Sequence, residues 1–135
     1  MTQGTDRHTF SRPGAPRLGV IGAGGLGTHH VRILRDLCGE RFAGFVDENP
    51  ARAAEVAAQY GVAAYTSLER LLDDVDAVSV VVPTTAHHAV ASQAIARGKH
   101  VFVEKPFTVT LEEADDLLAK AKAAGATVTF LQADA

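Results

Sequence analysis

A run of six residues, Gly22-Ala23-Gly24-Gly25-Leu26-Gly27, narrows the choice of fold more than any other feature of the chain. It follows directly on an apolar, strand-like stretch, Arg17–Ile21, and opens an amphipathic stretch, Gly25–Leu37, with helical spacing. G-x-G-x-x-G in that setting answers three physical needs. Gly22 allows a tight turn, Gly24 lets backbone approach a pyrophosphate, and Gly27 lets the helix pack closely on the strand. Gly25 and Leu26 stand where a helix N-terminus offers N–H groups and partial positive charge to phosphates. The same loop also serves methyltransferases and purely structural turns, so its surroundings decide between them.

Those surroundings alternate. Short β-branched runs alternate with Ala-rich amphipathic stretches from Arg17 onward, the pattern of a parallel sheet with crossover helices. Strands are expected at Arg17–Ile21, Arg41–Val46, Ala63–Tyr65, Ala77–Val82, His100–Glu104 and Thr127–Leu131. Ala77–Val82 carries no charge, as a strand buried on both faces should. Asn49-Pro50 starts a helix that Gly61 stops, Ser67 caps a short one, and a third runs from His87 to Arg97. Thr110 and Glu113 form a capping box for the last helix. The expected fold is α/β, a doubly wound, mainly parallel Rossmann sheet of six strands with helices on both faces and order 3-2-1-4-5-6. Residues 1–16 are polar and aperiodic and read as a flexible tail, which leaves 17–135 as the domain.

Composition removes several alternatives. Thirteen Lys and Arg against sixteen Asp and Glu leave no basic excess, which argues against nucleic acid as the main partner. The single Cys38 supports neither a disulfide framework nor a multi-Cys zinc site. No apolar run approaches the roughly 20 residues of a membrane span, and Met1–Arg17 has no secretory signal core. A soluble, cytoplasmic protein without a metal is expected.

Asp47 stands twenty residues after Gly27, at the end of the second strand. There a carboxylate can accept both hydroxyls of an adenosine ribose; the other reading is a turn or helix-capping Asp. Glu48 adds a second negative charge that would repel a 2′-phosphate, which favours NAD over NADP. Arg52 would offset this if it turned inward. Pro83, Thr84 and His87 follow the fourth strand, and Glu104, Lys105 and Pro106 follow the fifth. All lie at carboxyl ends of strands, the edge that carries the ligand crevice in an open parallel sheet. Lys105 can hydrogen-bond a substrate hydroxyl and stabilise the developing alkoxide, or it can be a surface Lys paired with Glu104. One of His87 and His88 is expected over the cofactor and the other on the helix surface. His29 and His30 point in different directions and have no carboxylate or Cys at ligand spacing, so they read as packing or surface residues. Cys38 reads as a small apolar residue.

With these residues in hand, the chain resembles the N-terminal domain of the glucose–fructose oxidoreductase / inositol dehydrogenase (Gfo/Idh/MocA) family. The matching segments are Leu18–Gly27 with His30, Phe45-Val46-Asp47, Val82-Pro83 with His87, and Gly98–Pro106, where G-K-H-V is followed by E-K-P. The resemblance implies NAD(P)-dependent oxidation or reduction of a hydroxyl on a sugar, cyclitol or related small molecule. It places Lys105 near nicotinamide and substrate. It gives Thr84, commonly Asn in the family, a part in holding the cofactor, although Thr lacks the amide's second hydrogen-bonding group. The implied cofactor set is Gly22, Gly24, Gly25, Leu26, Gly27, Asp47, Pro83, Thr84, His87, Glu104 and Lys105.

Family members continue after the sixth strand into a substrate domain that supplies an Asp and a His to the catalytic group and often mediates oligomerisation. This chain runs to Ala135 and lacks the Gly-His step usual after that strand, so the substrate domain is expected to be absent. Two readings follow: the nucleotide-binding half of an oxidoreductase, completed by another domain or chain, or a non-catalytic NAD(P)-binding module acting as sensor, scaffold or subunit. Self-association over the uncovered docking face is an accompanying expectation. A methyltransferase is disfavoured because it gives Glu104-Lys105-Pro106 no purpose.

Overall fold

The computed structural model describes residues 16–104 and 110–131. The expected tail over 1–15, and Lys105 and Pro106, lie outside the described residues. In chain order the elements are β1 (Leu18–Ile21), α1 (Gly25–Cys38), a 3-10 turn (Gly39–Arg41), β2 (Phe42–Val46), α2 (Pro50–Tyr60) and β3 (Ala64–Tyr65). Then come α3 (Leu68–Asp74), β4 (Ala77–Val80), α4 (Thr84–Ala96), β5 (His100–Glu104), α5 (Leu111–Ala124) and β6 (Val128–Leu131). The six strands form one sheet in the order β3-β2-β1-β4-β5-β6, and every pairing is parallel.

Alternation along each strand divides the core in two. Leu18, Val20 and Phe45 face α1 and α2 and meet Val31, Cys38, Ala53 and Val56. Ile21, Val46, Val78, Val80, Val101 and Val103 belong to a second cluster with Leu71 and Leu72 of α3, Ile95 of α4 and Leu117 of α5. β4 is buried along its whole length, in keeping with its uncharged sequence. Among the described residues no helix is long and apolar enough to cross a membrane.

Register brings the strand ends level. Ile21 is paired with Val46 on one side and Val80 on the other, and Val80 is paired with Val103. The segments after β1, β2, β4 and β5 therefore leave the sheet along one edge. β1, between β2 and β4, is where the winding reverses and where a crevice opens.

Two boundaries differ from the sequence reading by more than one residue. β4 ends at Val80 rather than Val82, where its neighbour β1 ends at Ile21 and turns away at Gly22; Val81 N–H still reaches Ile21 O at 2.8 Å, and beyond it β1 offers no further strand residue. α4 begins at Thr84 rather than near His87. Pro83, extended at φ −55° and ψ 147°, stands at the N-cap, and its carbonyl accepts Ala86 N–H at 2.8 Å. The Thr-Thr pair is thus the first turn of a helix and not loop.

Candidate nucleotide-binding site

The glycine loop is shaped by backbone contacts at its two outer glycines. Gly22 adopts φ +102°, and a Cβ there would lie 2.2 Å from Val81 O. Gly27 is buried in the first turn of α1, and a Cβ there would lie 2.1 Å from Gly22 O. Any side chain at either position would meet main chain. Gly24 is different. Its dihedrals, φ −74° and ψ −161°, suit any residue, and a Cβ there would meet nothing within 4 Å. As the N-cap of α1 it is a position that tolerates glycine well, and the space beside its Cα, like that beside Gly25, is open.

α1 starts at that open point without a side-chain cap and without an acidic residue in its first turn. Asn49, Ser67 and Thr110 cap α2, α3 and α5 with side-chain oxygens. α4, with Pro83 at its N-cap, has no side-chain cap either. The two uncapped N-termini border the same cavity. It has a volume of about 830 Å³, and Gly22, Gly24, Asp47, Glu48, Pro83 and Ala86 are in its wall. Its far side comes from β3 and the start of α3, including Tyr65 and Leu68.

Asp47 lies at the exit of β2 against the loop. Its Oδ1 accepts Ala23 N–H at 2.8 Å, and its Oδ2 accepts Asn49 N–H at 3.0 Å. A carboxylate offers about four lone-pair positions, so both oxygens retain capacity toward a ligand hydroxyl. Arg52, one turn into α2, does turn inward: its Nε donates to Ala23 O at 2.9 Å. Tyr65 donates its hydroxyl to Asp74 at 2.6 Å; burial first, and that hydrogen bond second, push its phenol above the ordinary range and keep it protonated in the cavity wall.

The other sequence candidates separate. Gly25, Leu26, Gly27, Thr84 and His87 are next to the wall but not part of it. His87 is 3% exposed, and its Nε2 donates to Val82 O at 2.8 Å, tying the segment after β4 to α4. Its ring is turned into the fold. Glu104 ends β5 on the same sheet edge. His30 Nδ1 shares a 2.6 Å hydrogen bond with Ser79 Oγ, which gives a buried hydroxyl of β4 its partner and fastens α1 to the sheet. His88 joins Asp116 and Lys120 on the outer surface of α4 and α5, where the carboxylate is held below its usual range by Lys120 first and His88 second. Burial pushes the Cys38 thiol up, away from thiolate chemistry.

Sequence reasoning overlooked the wall contributed by Tyr65, Thr66, Ser67 and Leu68. The signal was present, since β3 also ends on the carboxyl edge of a parallel sheet, where the ligand crevice belongs.

Comparison with known proteins agrees with this geometry. Residues 16–131 match the Gfo/Idh/MocA family, described as an oxidoreductase family with an NAD-binding Rossmann fold. The UDP-N-acetylglucosamine 3-dehydrogenase of Acidithiobacillus ferrooxidans is 48% identical over 106 residues, 78% of this chain and 33% of the enzyme. A solved structure of that enzyme superposes with a TM-score of 0.82 over 85% of this chain and 37% of its own. The scyllo-inositol 2-dehydrogenase (NAD(+)) of Bacillus subtilis is 34% identical over 113 residues, 81% of this chain and 33% of that protein. GenD2 from gentamicin A biosynthesis, solved in complex with NAD, is 28% identical, with a TM-score of 0.80 over 96% of this chain and 36% of its own. The chain spans about a third of the length of the relatives it matches. With residues 16–131 matched and a relative 48% identical, this chain belongs to the Gfo/Idh/MocA oxidoreductase family, to its NAD-binding Rossmann part.

Proposed function

We propose that this chain binds a nicotinamide dinucleotide as part of a dehydrogenase acting on a hydroxyl of a sugar, cyclitol or nucleotide-linked sugar. The observation that carries the reading is Gly24: a glycine with ordinary dihedrals and empty space at its Cβ, in the cavity wall and at the uncapped start of α1. A pyrophosphate fills that space, takes the N–H groups of the first turn and meets the positive end of the helix dipole. Asp47 receives the ribose hydroxyls on its remaining lone pairs. The names of relatives support the substrate class, since two of them are dehydrogenases of a nucleotide sugar and an inositol.

When bound, the nicotinamide supplies a hydride acceptor at its C4. What this chain adds is orientation and charge. We assign Lys105 to the substrate oxygen, where its ammonium holds the hydroxyl and then the alkoxide as the C–H bond breaks. Asp47 and Glu48 put two carboxylates in the wall, so the unphosphorylated NAD is the preferred form.

Calorimetric titration with NADH and NADPH tests the reading. NADH is expected to bind more tightly; failure of both to bind would refute the proposal. Any turnover across a panel of sugars, nucleotide sugars and inositols should fall at least about 100-fold in Lys105→Ala with NADH affinity retained. Unchanged turnover would remove Lys105 from the chemistry.

A further inference from the structure

Ala23 lies between Gly22 and Gly24, and side chains from the segment after β2 hold both of its backbone polar groups. Asp47 Oδ1 accepts its N–H at 2.8 Å, and Arg52 Nε donates to its carbonyl at 2.9 Å. The guanidinium also donates from Nη2 to Thr28 Oγ1 at 3.2 Å, and its Nη1 lies 3.6 Å from Oε1 of the exposed Glu55. Arg52 is itself set by the α2 cap, where Asn49 Oδ1 accepts the N–H groups of Ala51 and Arg52 at 3.0 and 3.1 Å. Asn49 N–H in turn steadies Asp47 Oδ2 at 3.0 Å. A carboxylate and a guanidinium, both fixed by one helix cap, thus grip the two polar groups of a single loop residue.

A loop with glycine on both sides of that residue has more conformations to lose than any other sequence would. If it must be ordered at the moment of binding, that entropy is subtracted from affinity; a loop ordered beforehand avoids the loss. The same geometry bears on the cofactor's 2′-position. Nε is committed to Ala23 O and one Nη2 N–H to Thr28 Oγ1, so a contribution that Arg52 makes through the loop is felt by NAD and NADP alike.

We propose that Arg52 is a positioning residue that, with Asp47, holds the Ala23 peptide groups and keeps the glycine loop ready for a pyrophosphate. The inference rests on the dinucleotide reading above. Its distinctive consequence is that Arg52 governs affinity for NAD and NADP equally, while leaving ligands without a pyrophosphate unaffected.

The test is titration of wild type, Arg52→Met and Arg52→Lys with NADH, NADPH and adenosine, with melting temperature recorded for each. Arg52→Met is expected to weaken NADH and NADPH by the same factor, about tenfold, the size of a lost charge-assisted hydrogen bond. Adenosine affinity should stay within about twofold, and melting temperature within about 3 °C, for a half-exposed side chain. Arg52→Lys should recover part of the loss, because an ammonium can still donate to Ala23 O. A loss confined to NADPH would overturn the proposal in favour of phosphate recognition. So would unchanged NADH binding in Arg52→Met, or a parallel loss of adenosine affinity and melting temperature. Wild type that binds neither dinucleotide would instead overturn the dinucleotide reading, and the clamp's role with it.

Discussion

Gly24→Ala and Gly27→Ala each add one methyl group to the same loop, and their surroundings give the two opposite consequences. At Gly27 the new carbon would lie 2.1 Å from Gly22 O and 2.8 Å from Gly22 C, both main-chain atoms. Ordinary carbon–oxygen approach is about 3.3 Å, so α1 and the loop must separate by roughly 1 Å. Overpacking of this kind costs about 1–3 kcal/mol, or about 4–12 °C in melting temperature for a domain of this size. At Gly24 the new methyl meets no protein atom within 4 Å, and φ is already −74°. Reduced freedom of the unfolded chain stabilises by about 0.4–1 kcal/mol, while alanine is a poorer N-cap than glycine by a similar amount, so the net change is about zero. The same methyl occupies the space assigned to the pyrophosphate, and NADH affinity should fall at least about tenfold, or about 1.4 kcal/mol. Thermal melts by circular dichroism and calorimetric titration of both variants separate the two effects. Gly24→Ala with wild-type affinity would refute the assigned path of the ligand. Gly27→Ala with a wild-type melting temperature would refute the steric argument.

Phe45 is fully buried on β2, and Phe45→Ala should cost about 3–5 kcal/mol in urea unfolding; a loss under about 1 kcal/mol would mean that the core under α1 and α2 is not closed around the ring. The Asp116 carboxyl is held below its usual range by Lys120 and then His88, so its folded form favours ionisation more than its unfolded form does. That stabilisation is complete above the ordinary carboxylate range and is lost as pH falls through the lowered value. Melts of wild type and Asp116→Asn should therefore converge between about pH 5 and pH 2, and a gap that widens toward acid would contradict the assignment.

Much of the fold was legible because the signals were local. An uncharged β-branched run, a glycine turn, and caps at Asn49, Ser67 and Thr110 each declare themselves over a few residues, and the structure has all of them. Parallel strands joined by right-handed crossovers leave few topologies, so the observed strand order followed from the alternation. The boundaries after β4 were not legible. Whether Val81 and Val82 extend a strand depends on a neighbour that stops at Ile21, and nothing within their own segment records that.

Residue types and spacing alone determined that a glycine loop and a carboxylate twenty residues beyond it would share one edge of a parallel sheet. Tertiary structure alone decided that Gly24 and Gly25 are free of intrachain contact where Gly22 and Gly27 are not, that His87 turns into the fold, and that Arg52 reaches Ala23 across the loop. The reason is physical. Periodicity and capping are properties of neighbours along the chain, whereas the direction of a long side chain and the space beside a Cα are set by whichever elements happen to meet there.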